Sequence, residues 1–160
     1  MKEDRYLEIR HGTVRKKNEL IQQGCFDLSI QQQKIILYLI AQISPKDTDF
    51  KVYEFTISEF CKTCGIDYNG KTYQNLKKSV DEITKARMWI SLENGTDLHL
   101  GWIDWAEIPA GEGIIKIKLN DRMRPFLLQL KRSFTTYELL WTLNFHSKYT
   151  IRLYEYIKSI

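Results

Sequence analysis

Cysteine, proline and histidine are scarce in this sequence, with three of each among its 160 residues. Three cysteines are too few, and odd in number, for a disulfide framework, so the chain is compatible with a reducing compartment. The longest apolar run, residues 35–41, is far shorter than the roughly 18 residues of a membrane span. The charged N-terminus also lacks the apolar core of a signal peptide. We therefore expect a cytoplasmic protein with no membrane partner.

Residues that could build a catalytic or metal site are few and scattered. His11, His99 and His146 lie far apart, so no local pattern forms a metal site or the histidine pair of a DNA-nicking nuclease. Cys61 and Cys64 form a single C-x-x-C, which has no second ligand pair for zinc and falls late in an expected helix, where a redox motif would not lie. The sequence predicts no catalytic residues, no metal, no cofactor and no enzymatic activity.

Residues 65–72 match the phosphate-loop pattern G-x-x-x-x-G-K-[ST] letter for letter. In a working phosphate loop a strand runs into the turn and a helix leaves it, so that backbone N–H groups converge on phosphate oxygens. Here residues 58–64 are typical of a short helix that Ser58 caps and Gly65 ends. A chance match is favoured, and a small P-loop-like nucleotide-binding protein is kept as an alternative.

The composition, 43% hydrophobic and 28% charged, is that of a folded soluble protein, and 160 residues fit one domain. The net charge of +4 is unevenly distributed. Residues 116–132 hold six basic residues and one acidic residue, whereas residues 44–70 hold three basic and five acidic residues. A basic segment of this kind favours a partner that bears phosphates, and a solvated charged surface explains it equally well.

Apolar periodicity and end signals predict the secondary structure. Ser29 and Gln32 form a capping-box pattern that opens an apolar helix over residues 30–43. The pair Asn94-Gly95 predicts a hairpin between strands near 88–93 and 98–102. The other elements expected are strands near 52–57 and 115–119 and helices near 58–64, 72–87, 121–130, 136–142 and 149–159.

This order predicts an α+β fold, the winged helix. It consists of a helix-turn-helix unit with a β-hairpin wing behind it, one three-stranded antiparallel sheet and about five helices. Trp89, Ile103, Trp105 and Ile114 are expected to point away from the core, on the outer face of that sheet. A soluble monomer rarely leaves such an apolar cluster bare, so these four residues are the candidate homodimer interface.

The amphipathic helix over 72–87 and the basic segment supply the candidate DNA contacts, because lysine and arginine bind phosphates and amides bind base edges. These residues are Lys71, Gln74, Asn75, Lys78, Lys85, Lys116, Lys118, Arg122 and Arg124. Asp81 and Glu82 lie near the same helical stripe and would repel phosphate, so contact with the DNA backbone is favoured over recognition of bases. An ordinary solvated helix face is the alternative.

Several segments resemble the first domain of plasmid replication initiators of the iteron-binding, theta-replication class. The most specific is Ser-Lys-Tyr-Thr-Ile-Arg-Leu-Tyr-Glu at residues 147–155. Weaker matches, which follow in the same order, are residues 17–21, the apolar helix after Ser29, residues 55–58, and Tyr73 with Leu76 and Lys77. The resemblance covers residues 14–160 and leaves residues 1–13 as an N-terminal extension.

The resemblance implies two winged-helix domains, the first mainly for dimerisation with auxiliary DNA backbone contacts and the second for recognition of origin repeats. It implies double-stranded DNA, at the plasmid origin or the protein's own promoter, and host replication proteins as partners in the bacterial cytoplasm. The second domain would follow Ile160 and is absent from this chain. The implied function is therefore that of the N-terminal dimerisation and DNA-contact domain of a replication initiator. A winged-helix transcriptional repressor is the first alternative.

Overall fold

A computed structural model describes residues 2–160, with side chains from residue 5 onward. The helices are α1 (Lys2–Arg10), α2 (Asn18–Gln23), α3 (Ile30–Ile40), α4 (Ile57–Cys64), α5 (Thr72–Lys85), α6 (Arg124–Leu127), α7 (Leu140–Leu143) and α8 (Lys148–Ser159). The strands are β1 (Thr13–Lys17), β2 (Gly24–Cys25), β3 (Tyr53–Thr56), β4 (Arg87–Ser91), β5 (Asp97–Gly101), β6 (Ile103–Glu107), β7 (Ile114–Leu119) and β8 (Phe134–Glu138). A turn of 3-10 helix, Asp121–Met123, precedes α6.

Helix α3 forms the centre of the core. The Ser29 hydroxyl accepts a hydrogen bond from the Gln32 backbone N–H while the Gln32 side chain accepts one from the Ser29 N–H, so the predicted capping box is confirmed. Residues 35–40 are buried all round the helix. A helix that is apolar on every side requires neighbours on every side, and α5, α8 and β1 all pack against α3.

The antiparallel strands form three small sheets. β1 pairs with β8, β4 lies between β2 and β5, and β7 lies between β3 and β6. The β4–β5 hairpin turns at Asn94 and Gly95 as predicted, with Gly95 at φ +87°. Strands β5 and β6 belong to different sheets, although only one residue, the buried Trp102, lies between them in the chain.

Helices α4 and α5 and the β4–β5 hairpin follow one another in the order of a helix-turn-helix with a wing. Thr56 and Glu59 form a second capping box at the start of α4. Gly65 ends α4 in the left-handed conformation, at φ +67°, which glycine adopts without the steric cost that other residues incur. The predicted end of this helix is confirmed, whereas the predicted cap at Ser58 is wrong, because Thr56 occupies that role.

The expected single three-stranded sheet is wrong. The hairpin strands β4 and β5 pair with the short β2, while β7 pairs with β3 and with β6. Strand β6 is not among the expected elements, because residues 103–107, Ile-Asp-Trp-Ala-Glu, do not alternate strictly between apolar and polar side chains. The described part of the chain also has eight α-helices rather than about five.

The expected helix over 136–142 is also wrong. Residues 134–138 form β8, and only Leu140–Leu143 is helical. Thr135, Thr136 and Tyr137 favour a strand because their side chains fit a pleated surface, and all three pair with β1.

The N-terminal helix α1 packs against α4 and buries Ile9. Gly12, between α1 and β1, lets the chain approach the end of α3, because a Cβ atom there would lie 2.7 Å from the carbonyl oxygen of Ala41. Residues 2–10, within the expected N-terminal extension, are thus attached to the domain.

One ion pair is buried in the core. The Lys16 Nζ of β1 lies 2.7 Å from Glu155 Oε2 of α8, and both side chains are almost fully buried. The Tyr137 hydroxyl of β8 donates a 2.5 Å hydrogen bond to the same carboxylate oxygen. Burial, together with the charge of Glu155, raises the pKa of Tyr137 well above its ordinary value, so the hydroxyl keeps its proton. The three residues join β1, β8 and α8.

We predict that Lys16→Met lowers the free energy of unfolding by about 3–5 kcal/mol, because it leaves a buried carboxylate without its cation. Lys16→Met with Glu155→Leu should be less destabilising than Lys16→Met alone. The matched control is Lys17→Met, which breaks a partly exposed pair with Glu19 at 3.5 Å and should cost no more than about 1 kcal/mol. Urea denaturation followed by circular dichroism measures the free energy of unfolding of the unaltered chain and of these three variants. Equal effects at positions 16 and 17 would contradict the prediction.

Candidate nucleic-acid interface

Helix α5 is held on α3 by one apolar face and by side-chain hydrogen bonds. Leu76, Val80 and Ile83 are buried. The Ser79 hydroxyl donates to Gln31 Oε1, and the Gln32 amide of α3 donates to the Glu82 carboxylate. The predicted amphipathic helix is therefore confirmed, with its polar face turned away from the core.

The exposed face of α5 carries all five candidate residues predicted for it, Lys71, Gln74, Asn75, Lys78 and Lys85. Lys85 Nζ is paired with Asp81 at 2.9 Å, and Lys78 Nζ lies 3.9 Å from Glu82. Among the described residues, Lys71 and Lys77 form no ion pair. Positive charge on α5 is thus least opposed in its N-terminal half.

Two other candidates, Lys116 and Lys118, lie on β7 among carboxylates. The register places Lys116 between Glu54 of β3 and Glu107 of β6. Lys118 Nζ lies 2.7 Å from Asp121 Oδ1 and is only 17% exposed. Its hydrogen bond lowers the pKa of Asp121 below the ordinary value, so that the carboxylate stays charged. Lys118 is thus neutralised by an ion pair and Lys116 lies beside two glutamates, so both are weaker candidates for phosphate contact than the sequence indicates.

The remaining two candidates lie where the 3-10 turn meets α6. Arg124 Nη1 is paired with Asp49 at 2.6 Å, while the exposed Arg122 makes no ion pair within the described chain. Both border an open cleft of about 540 Å³ whose wall includes Lys17. Lys17 is not among the residues predicted from the sequence, because no local pattern relates β1 to residues 122–124.

The predicted outer apolar face does not exist as one surface. Trp89 lies on the β2–β4–β5 sheet, 54% exposed and stacked on His99 at 4.3 Å between ring centroids. Trp105 and Ile114 lie on the β3–β7–β6 sheet. Ile103 is only 6% exposed, so its predicted outward orientation is wrong, because a register irregularity between Ile103 and Trp105 changes the alternation along β6.

A larger exposed apolar stripe runs along α8 and was not predicted as a surface. It consists of Tyr149, Leu153, Tyr156, Ile157 and Ile160. These residues share one side of the helix because they recur at steps of three and four. The opposite side of α8 carries the buried Ile151 and Glu155.

The phosphate-loop pattern corresponds to the turn between α4 and α5. The residues before Gly65 are helical, so the strand that a phosphate loop requires is replaced by α4. The Thr72 hydroxyl donates to the Asp67 carbonyl oxygen and accepts from the Asn69 N–H, both at 2.9 Å. The side chain that would bind magnesium is thus engaged in the turn.

The described residues contain no group of three or more His, Cys, Asp or Glu side chains placed to hold a metal ion. None of the helices within residues 2–160 is long and apolar enough to cross a membrane.

Comparisons with known proteins agree with this architecture. A family model described as "Initiator Replication protein, WH1" matches residues 13–158. The crystal structure of the Pi initiator protein in complex with iteron DNA is similar with a TM-score of 0.72 and 18% sequence identity, over 94% of this chain. The match spans only 64% of the Pi chain. The likeness confirms the predicted α+β winged-helix fold.

A second similar structure is the WH1 domain of MSBI1.176, a replication protein isolated from a multiple sclerosis patient. It has a TM-score of 0.42 and 15% identity, and the match covers 60% of this chain and 76% of that one. No curated protein sequence matches the chain.

We predict that millimolar magnesium-ATP leaves the melting temperature unchanged, because the Thr72 hydroxyl is engaged and no strand leads into the turn. A ligand at 100 times its Kd would stabilise the fold by about 2.7 kcal/mol, a shift of several degrees. Differential scanning fluorimetry at matched ionic strength measures the melting temperature, with magnesium sulfate as the control. A stabilisation that Lys71→Ala abolishes would contradict the prediction.

Proposed function

The chain belongs to the initiator replication protein family, as its WH1 domain, and on this premise we propose that it contacts double-stranded DNA when replication starts at a plasmid origin. In this proposal the domain works in the bacterial cytoplasm beside host replication proteins. It binds the DNA backbone, so that its affinity depends on phosphate contacts more than on base sequence.

The observation that carries the proposal is the exposed face of α5. This helix is the second of a helix-turn-helix, the position from which such units contact DNA. Its outward side carries amides and lysines, and no large apolar side chain of α5 is exposed. Such a polar face fits a hydrated, negatively charged partner and would be a poor contact for an apolar one.

The acidic residues of α5 are compatible with backbone contact. Asp81 and Glu82 lie in the C-terminal half, where Lys85 and Lys78 are within ion-pair distance of them. The N-terminal half combines unopposed cations with the positive end of the helix dipole, and both attract phosphate. We therefore assign the DNA contact to the segment from Lys71 to Lys78.

We further propose that the domain acts by binding and not by catalysis. The two buried cysteines are poor nucleophiles, since burial raises the pKa of Cys61 and raises that of Cys64 to about 12. They pack within the core cluster around Tyr38 and Phe60.

We also infer that two copies of the chain associate, because large apolar side chains remain exposed. Trp89 and Trp105 retain the exposure predicted for a dimer interface, although they belong to two sheets. The α8 stripe is a second exposed apolar surface, so a test of association must examine both.

For DNA binding, we expect Lys71→Ala with Lys78→Ala to weaken binding to a 25-base-pair duplex and to make the dependence of log K on log salt shallower. Each lost phosphate contact should reduce the slope by roughly 0.9. The control variant is Lys46→Ala, an exposed lysine in the loop after α3. Fluorescence anisotropy from 20 to 200 mM salt gives both quantities. Absence of binding by the unaltered chain at the lowest salt would refute the proposed function.

For self-association, we expect Trp89→Glu with Trp105→Glu to shift sedimentation toward the monomer, since a buried carboxylate opposes association. Leu153→Glu with Ile157→Glu, on α8, serves as the comparison. If only the α8 variant dissociates, association uses α8 and the tryptophan assignment is wrong. A monomer at every concentration up to about 100 μM would contradict the homodimer.

A further inference from the structure

A second group of cations lies along β1, away from α5. Val14 and Lys16 are buried on one side of β1, so the alternation of the strand turns Arg15 and Lys17 to the other side. Strand β8, the partner of β1, covers one edge, and α6 packs against β1 as well. The outward side of β1 thus presents two basic side chains on a rigid element.

The loop between α6 and β8 adds two more basic side chains. Gln129 and Leu130 line the same small cleft as Arg15, and the Ser133 carbonyl oxygen accepts a 2.8 Å hydrogen bond from the Asn18 N–H at the end of β1. The exposed Lys131 and Arg132 lie between these anchor points. Arg122 shares the larger cleft with Lys17. We call this set, Arg15, Lys17, Arg122, Lys131 and Arg132, the β1 basic surface.

Most acidic residues around this surface are engaged by other groups, and the exception is Glu93, which lines the cleft with Lys17 and Arg122. Glu19 is within 3.5 Å of Lys17 and accepts a hydrogen bond from the Glu93 N–H. Glu138 contacts His11 at 3.2 Å, and Asp121 is held by Lys118. In the described part of the molecule, no carboxylate pairs with Arg15, Arg122, Lys131 or Arg132. The surface therefore carries four basic side chains without an ion pair, against the single carboxylate of Glu93 in the neighbouring cleft.

The loop conformation is unusual for its residues. Gln129 and Ser133 both have left-handed backbone, at φ 50° and φ 54°, which non-glycine residues rarely adopt. These two positions enclose the segment that carries Lys131 and Arg132. The tertiary contacts at both ends, and not local preference, therefore hold this loop beside β1.

The β1 basic surface and the α5 face lie near opposite ends of α3. Gln31 and Gln32, at the start of α3, contact α5 through Ser79 and Glu82. Ile40, at the end of α3, lines the cleft with Arg15. At a rise of 1.5 Å per residue, Ile40 lies about 12 Å further along the helix axis than Gln32. The same few phosphates cannot occupy both surfaces.

We propose that the β1 basic surface is a second contact site for the phosphate backbone of duplex DNA, used in addition to α5. Guanidinium groups suit this role because they bind phosphate with two parallel N–H donors. The site rests on the proposed function and extends it: the domain holds DNA at two places, near the start and near the end of α3, along one bent duplex or between two segments. It contributes affinity and salt dependence and no sequence recognition.

The test is the triple variant Arg122→Gln, Lys131→Gln, Arg132→Gln, which alters only exposed side chains. Its matched control is Lys46→Gln, Lys51→Gln, Lys62→Gln, which removes the same charge from exposed lysines elsewhere. We expect the triple variant to reduce the salt slope by roughly two to three and the affinity at 100 mM salt at least tenfold. The control should change both much less. Combination with Lys71→Ala and Lys78→Ala should multiply the losses in affinity.

The outcomes separate this inference from the proposed function. If the α5 variant weakens binding while the triple variant matches its control, the second surface is wrong and the proposed function stands. If the unaltered chain binds no DNA at 20 mM salt, both fail. If the triple variant loses binding only to phosphatidylglycerol vesicles in a sedimentation assay, the surface serves lipid and the inference is overturned. Circular dichroism confirms that each variant is folded.

Discussion

The buried contact among Lys16, Glu155 and Tyr137 fixes how the two ends of the chain meet. It ties β1 to the last helix through charges that are almost fully removed from water. A buried charge is tolerated only when its partner is in place, so this contact strongly penalises any other pairing of β1. Because strand side chains alternate, a slip of one residue would bury Arg15 and expose Lys16. The buried pair therefore also determines which basic side chains of β1 face solvent.

Helix α3 connects this contact to α5, the helix proposed to contact DNA. Its apolar residues fill the core, and its few polar side chains each have a defined neighbour. Gln33 donates to the Leu28 and Lys148 carbonyl oxygens, which joins α3 to the start of α8. Gln32 donates to the Glu82 carboxylate, which draws one of the two acids of α5 toward the protein. Side chains on α3 thus modify the charge that α5 presents to its partner.

Sequence patterns predict the elements whose neighbours in the chain specify them. The periodicity of α3, α5 and α8, the caps at Ser29 and Gly65 and the turn at Gly95 are local signals, and all are present in the structure. The division into three sheets is not local, since β7 pairs with β3 across residues 57–113 and β4 pairs with β2 across residues 26–86. For the same reason the sequence did not reveal that Lys116 lies between two glutamates, or that Lys16 is buried.

Charge pairing, more than charge number, decides where this domain can attract a polyanion. The net charge is only +4, a weak field if it were spread evenly. Ion pairs neutralise Lys85, Lys118 and Arg124 at 2.9, 2.7 and 2.6 Å, whereas Arg122 and Lys71 form no ion pair with any described residue. The candidate site therefore depends on register and packing: the same cations, differently paired, would leave neither face of the domain attractive to phosphate.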